Sequence, residues 1–372
     1  MKQKVILLIM VLSLLLSGCS IFSRSYVSVE PHREQRQSTQ TGTIVASNYA
    51  ELLQALEDMI ASGTEVAAIK VPEYPVDYLT SGIEWAIHYS KESNPIGAYA
   101  VADIIYELGS SSGVPAVSVS ISYHHSRSEI QRIRRAKDIQ SAEKIVTEVL
   151  REYEPGVVIL VEEFDSRDFS QFVKDYAEEN PQAVMEIPQV TQNSYGTEQN
   201  RVLELIFTYQ TSRDALRRMQ AQVQPVFDSA SLYVSGEGDD YQKYSQLYAF
   251  LMERFDYKYE TSITPAYSLL RHGVGDSRAF ASVYAAMCRS AGLECMTVTG
   301  TRSGEPWTWN IILDNGVYYH VDLQRSNLNG QFRELTDSQM TSYVWDYSAY
   351  PACVGVEIDT VSETTEVTVK AQ

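Results

Sequence analysis

The feature that most limits how this chain folds is a pattern that runs through its middle twice. Leu52, Leu53, Leu56, Met59 and Ile60 recur at helical spacing, and residues 65–71 then alternate as a short strand does. A helix over about 79–90 follows, closed by Asn94-Pro95, then a strand over 114–123 and a helix over 128–136. The same order recurs as a helix over 142–152, a strand over 157–163, a helix over 169–178 closed by Asn180-Pro181, a strand over 201–209 and a helix over 212–221. Pro95 and Pro181 are offset by the same interval as Tyr123 and Tyr209. The run Val119 to Arg127 resembles Leu205 to Arg213, and each leads into a helix with a basic face. The reading is two divergent α+β repeats, residues 44–140 and 141–232, each long enough to hold its own core.

No site chemistry converges in the repeats. His124 and His125 are adjacent, so on a strand they point to opposite faces and cannot easily share a metal. The region serves either as a pair of binding modules or as a scaffold that holds the C-terminal part away from its attachment point.

That attachment is legible at the other end of the chain. Lys2 and Lys4 precede an apolar run over 5–16, too short to span a bilayer as a mature helix and typical of a signal-peptide core. The run ends Leu16-Ser17-Gly18-Cys19, which resembles the lipobox of bacterial lipoproteins. The resemblance implies that residues 1–18 are removed and that Cys19 is acylated with palmitate-like chains. Each buried CH2 contributes about 0.8 kcal/mol, and two or three chains anchor stably where one does not. Residues 19–43 are polar and rich in Ser, Gln, Thr and Arg, so they read as a flexible tether. The expected location is the extracytoplasmic face of the cell membrane.

Charge narrows the partners. The chain carries 30 basic and 48 acidic residues, a net −18, and loss of Lys2 and Lys4 leaves 28 against 48, or −20. Nucleic acid and anionic lipid headgroups need the opposite sign and are excluded as bulk partners. The partner classes left are the membrane through Cys19 and an envelope protein, peptide or glycan. Three cysteines follow Cys19, namely Cys288, Cys295 and Cys353, an odd number with no dense disulfide framework. Cys288 lies in an apolar helical pattern and reads as a small buried hydrophobe.

The C-terminal part, residues 236–358, begins with a helix carrying Tyr244, Leu247, Tyr248, Leu251 and Phe255 at core spacing. A short helix over 266–270 leads to Gly273-Val274-Gly275-Asp276-Ser277-Arg278-Ala279, then a long helix over 278–291 stopped by Gly292, and a strand over 294–300. Strands over 308–313 and 317–323 form a hairpin about Asp314-Asn315-Gly316, since Asn-Gly supplies the positive φ angles of a tight turn. Residues 335–347 pack aromatics back onto this domain, and 359–372 form a polar tail.

With Trp307-Thr308-Trp309-Asn310 and Tyr319-His320-Val321-Asp322, this order resembles the transglutaminase-like fold, a relative of papain-type thiol enzymes. In that family a Gly-x-Cys turn starts the core helix, a His-Ala-Trp-Asn-like strand brings the base, and a Val-Asp strand brings the acid that orients it. Placed residue by residue, the thiol position falls on Gly275, the imidazole position on Trp307 and the acid position on Asp322, while Trp309 and Asn310 match the family strand. Glycine has no nucleophile, and indole donates a hydrogen bond without accepting a proton. The resemblance therefore implies a fold without the family's chemistry. The expectation is an α+β chain of two repeats followed by an inactive transglutaminase-like domain, with no cofactor and no metal. It uses Gly275, Asp276, Ser277, Trp307, Trp309, Asn310, His320 and Asp322 as a binding cleft in which Trp307 and Trp309 supply flat apolar surface. The alternative is a peptidase, amidase or transglutaminase-like enzyme with a non-cysteine nucleophile, Ser277 or Asp276, served by His320 and Asp322.

Overall fold

Alternation along one strand shows how the first sheet is built. In Val117-Ser118-Val119-Ser120-Ile121-Ser122 the three aliphatic residues are buried and the serines lie on the other face. The computed structural model describes residues 44–355 except 198, 235–237, 260–261 and 329. The expected signal peptide, Cys19, the tether and the polar tail lie outside the described residues.

The first module runs β1 (Ile44–Val45), α1 (Tyr49–Ser62), β2 (Val66–Lys70), α2 (Val76–Glu92), α3 (Pro95–Ala100), β3 (Val101–Ser111), β4 (Val114–Tyr123) and α4 (Arg127–Gln131). Asn48 caps α1 by accepting from the Glu51 amide, and Gly63 ends it at φ 63°. The strand order is β1-β2-β4-β3, with β1 parallel to β2 and the other pairs antiparallel. Leu52, Leu56 and Ile60 of α1 and Leu79 and Ile83 of α2 cover the aliphatic face of this sheet.

The second module runs β5 (Arg134–Asp138), α5 (Ile139–Arg151), β6 (Gly156–Glu163), α6 (Phe169–Glu179), β7 (Gln189–Tyr195) and β8 (Arg201–Thr208), followed by the long helix α7 (Arg213–Tyr233). Its strand order is β5-β6-β8-β7, again with the first pair parallel and the others antiparallel. One face of its sheet packs under α5 and α6. On the other, Leu160 and Val202 are covered by Tyr99, Ala100 and Ile130 from α3 and α4 of the first module.

Two expectations from the sequence change here. Residues 128–136 are not one helix, because α4 stops at Gln131 and Arg134–Asp138 enters the second sheet beside β6. That moves the start of the second sheet to Arg134, ahead of the expected division at 140/141. Strand β5 buries only Ala136 among charged neighbours, and Asp138 then caps α5 by accepting from the Ser141 amide. Edge strands β3 and β7 were not anticipated, since β7, Gln-Val-Thr-Gln-Asn-Ser-Tyr, carries almost no apolar alternation.

The C-terminal domain runs α8 (Asp240–Arg254), β9 (Asp256–Tyr257), α9 (Pro265–His272), β10 (Val274–Gly275), α10 (Ser277–Ser290), β11 (Cys295–Arg302), β12 (Glu305–Asp314), β13 (Val317–Val321), α11 (Leu323–Leu328) and β14 (Tyr343–Val344). Its sheet has the order β13-β12-β11-β14. Asn315 (φ 49°) and Gly316 (φ 80°) make the turn between β12 and β13 as anticipated. Helix α10 is buried almost all round, the mark of a helix enclosed by other elements. Its Phe280, Val283 and Tyr284 share one core with Tyr244 and Leu251 of α8 and with Tyr153, Met185 and Leu216 of the second module. The Ser282 hydroxyl donates to the Glu178 carbonyl at 2.5 Å, tying the two parts together. On the far side of the sheet a second cluster gathers Val298, Trp309, Ile311, Tyr343, Trp345 and Cys353.

Candidate functional site

The site forms where α10 begins. Gly273 ends α9 at φ 80°, and β10 then pairs in parallel with β9, setting Gly275 against Tyr257. Asp276 is the N-cap of α10, its carboxylate accepting from the Ala279 amide at 2.9 Å. Ser277 is the first helical residue, buried, and its Oγ accepts from the Thr308 amide of β12 at 3.3 Å.

Gly275 is closely packed. A Cβ there would come within 3.0 Å of Ala279 Cβ and 3.1 Å of Leu269 Cβ, so a larger side chain fits only by displacing both. Ser277, two residues on, is the residue whose side chain meets β12 at the helix start.

Asp322 is the hub. It is 1% exposed. Its Oδ1 accepts from the Gln324 and Arg325 amides at 2.9 and 3.1 Å, capping α11. Its Oδ2 accepts from Trp307 Nε1 at 3.0 Å, from Arg302 at 3.2 Å and from the Tyr343 hydroxyl. Burial, then the Asp322 charge, pushes the Tyr343 hydroxyl well above its ordinary range, so Tyr343 stays a donor. The Arg302 guanidinium lies 5.0 Å from the Trp307 ring centre and 5.6 Å from that of Tyr343. Trp307 is half-buried and leans on Tyr257 with ring centres 5.5 Å apart. Burial, then Asp276 and Asp322, raises the Tyr257 hydroxyl as well.

Chemically, this hub sets an indole N–H against the Asp322 carboxylate. Indole has no basic lone pair. The Ser277 hydroxyl accepts from the Thr308 N–H, and among the described residues no basic side chain hydrogen-bonds to it.

His320 does not fill that gap, contrary to the enzyme alternative. It is fully buried in the second cluster, where Trp309 Nε1 donates to its Nδ1 at 2.9 Å and its Nε2 lies 2.8 Å from Asp337 Oδ1. Since Nδ1 accepts, Nε2 carries the proton and donates to Asp337. Burial lowers the His320 pKa, with Asp337 opposing, which keeps the ring neutral. Asp337, Cys353 and His320 bring ligand-type atoms within 4.8 Å of one another. The proton on Nε2 removes the lone pair a metal would need, and metal-bound histidines donate through their other nitrogen instead of accepting there. The Cys353 thiol is pushed up to about 12 by burial and by Asp337.

Two more expected cleft residues are structural. Trp309 is enclosed by Tyr343, Trp345 and His320 and offers no open surface. Asn310 points to the opposite face, where its Nδ2 donates to the Ala281 carbonyl at 2.9 Å and clamps α10 to the sheet. The sequence reading missed Tyr257, Arg302 and Tyr343, which meet Trp307 and Asp322 only through the β9–β10 and β11–β14 pairings. Beside Thr308 a narrow cleft opens between α10 and residues 181–187 of the second module, with Val184, Met185, Ile187, Pro265, Arg278 and Thr299 among its walls.

Residues 229–345 match the family model described as the transglutaminase-like superfamily, so the α+β chain carries a C-terminal transglutaminase-like domain. No curated protein matches the chain. Among solved structures it is similar to a TGase (8% identity, 53% of this chain and 56% of that one, TM-score 0.27). It is also similar to a proposed cysteine protease from Cytophaga hutchinsonii (16% identity, 40% and 65%, TM-score 0.25). A third is a proposed protease from Parabacteroides distasonis (10% identity, 68% and 39%, TM-score 0.23). The chain spans less than two thirds of each of these proteins.

Proposed function

We propose that this protein is a lipid-anchored lipoprotein of the outer face of the cell membrane whose transglutaminase-like domain recognises a ligand without turning it over. The observation that carries this reading is the Trp307–Asp322 hydrogen bond, which puts a pure donor where acyl transfer needs a base. Ser277 keeps a hydroxyl at the helix start, and a hydroxyl without a base is a poor nucleophile near neutral pH. The half-buried Trp307 and the Tyr257 ring offer an aromatic ledge. The narrow cleft beside Thr308, walled by Val184, Met185 and Ile187, offers an apolar slot. Together they suit an extended peptide segment or a glycan chain of the envelope. The shared strand order of the two preceding sheets supports reading them as divergent copies of one unit that spaces this domain from its anchor.

The test is a fluorescence titration of the purified protein with a panel of short peptides and soluble glycan fragments, beside amide-hydrolysis and transamidation assays on the same panel. Binding is expected to be lost in Trp307→Ala and kept in Ser277→Ala, with no turnover by either variant or by wild type. Turnover by wild type that vanishes in Ser277→Ala would overturn the proposal.

A further inference from the structure

The first module exposes an aromatic patch that its core does not use. On α2, Tyr78, Trp85 and Tyr89 recur at i, i+7 and i+11, which aligns them on one stripe. They are 69%, 67% and 42% exposed. The stripe that packs inward is a different one, formed by Leu79, Ile83 and Ala86. Tyr49, the first residue of α1 and 41% exposed, extends the patch. Burial, then the hydroxyls of Tyr74 and Tyr89, raises its pKa, so those hydroxyls lie within electrostatic reach of Tyr49. Exposed apolar residues are ordinary when scattered, but large rings gathered on one side mark a contact surface.

The position of the patch points to its occupant. Tyr49 follows closely on Ile44–Val45, so the patch lies where the tether from Cys19 joins the module. Only 24 residues, 20–43, separate Cys19 from Ile44. Anything at the membrane surface is thus presented to this side at high effective concentration, and a weak contact suffices. Trp and Tyr have an apolar body and a polar tip, which suits the headgroup layer of a bilayer. The net charge of −20 left after loss of residues 1–18 disfavours anionic lipid and leaves zwitterionic headgroups as the match.

We infer that Tyr49, Tyr78, Trp85 and Tyr89 seat the first module in the interfacial layer of the membrane that holds Cys19. The inference rests on the lipoprotein reading above. The acyl chains supply the anchor, and the aromatic patch adds orientation: it selects which side of the module meets the lipid.

The experiment uses the full-length lipidated protein reconstituted into phosphatidylcholine vesicles with and without acyl chains brominated near the headgroup. Flotation of wild type against Cys19→Ser first tests the anchor. Wild type that stays in solution, or Cys19→Ser that floats equally well, would remove the anchor reading and the inference resting on it. Tryptophan emission then tests the patch in protein that floats. Trp85 is one of four tryptophans, and the brominated lipid is expected to quench wild type and to lose that effect in Trp85→Phe. Tyr78→Ser with Tyr89→Ser, which leaves the probe in place, is expected to weaken the quenching. Equal quenching of floated wild type and Trp85→Phe would overturn the inference. So would Trp85 emission that shifts to the blue with protein concentration and ignores bromine, because that result gives the face to a second copy of the chain.

Discussion

Replacing Asp322 by alanine tests the claim that this carboxylate now serves structure. In the native domain it takes five donors: the Gln324 and Arg325 amides on one oxygen, and Trp307, Arg302 and Tyr343 on the other. Asp322→Ala removes the cap of α11, worth about 1 kcal/mol. It also leaves two neutral donors without a partner, buried Tyr343 and half-buried Trp307, at about 1–3 kcal/mol each before relaxation. Breaking a buried ion pair by deleting one member costs about 3–5 kcal/mol. That figure is discounted here because the Arg302 side chain is 25% exposed and can turn to water. These terms overlap in one network and do not add, so the net expectation is about 3–5 kcal/mol. Urea unfolding followed by tryptophan emission reads the domain directly, since Trp307, Trp309 and Trp345 lie within it. The midpoint is expected to fall by about 2 M. The control is Trp307→Phe, which deletes one donor and leaves Arg302 and Tyr343 in place, for a loss of about 1 kcal/mol. If Asp322→Ala moved the midpoint by less than about 0.5 M, or no more than Trp307→Phe does, the hub would not be holding the domain and the argument would fail.

Other outcomes follow from buried titrating groups. His320 is held below its ordinary value of 6.5 by burial, so the unfolded chain takes up a proton that the folded domain refuses. Stability is therefore full above that value and falls as the pH drops below it, and His320→Gln should flatten the fall in urea midpoints below about pH 6.5. Glu334 behaves in the opposite sense. Burial and the adjacent Asp314 carboxyl raise it from 4.5 to about 7, so its contribution is present at low pH and is lost as the pH rises through about 7. Glu334→Gln should abolish that loss; an unchanged pH profile would mean that burial does not raise Glu334. Cys288 is fully buried and its thiol is raised by burial and by Cys295. Native protein should resist thiol alkylation at Cys288, Cys295 and Cys353 until denaturant is added, and rapid native labelling of any of them would contradict the burial described.

What the sequence revealed and what it concealed divide along physical lines. Periodic apolar runs such as those of α1, α5 and α10 gave their helices, and Asn315-Gly316 gave its hairpin, because each signal is local. Strands β5 and β7 stayed hidden because their residues are polar or charged and are held by neighbours far along the chain. At the site, Trp307 and Asp322 were already named as cleft candidates, and the structure joins them by a hydrogen bond. That Ser277 and not Gly275 meets β12 could not be read from the chain, since it depends on where the helix starts and on how closely Ala279 and Leu269 crowd the glycine. Strand alternation put His320 and Asp322 on one face, yet Trp309 and Asp337 hold the histidine within the second cluster while Asp322 turns to the cap of α11. Alternation says which side a residue takes, and only the packed neighbours say what it meets there.

The outer face of the first sheet carries Ser118, Ser120 and Ser122, whereas the matching face of the second sheet carries Leu160 and Val202 under α3 and α4. The two modules are therefore not interchangeable parts. A chain cut to begin at Arg134 would bare Leu160 and Val202 to water. A chain with the modules in reverse order would press serines into an apolar seam and leave leucine and valine at its tip. The arrangement reads in one direction only, with a finished end that faces outward and every later unit built to be covered by the one before it.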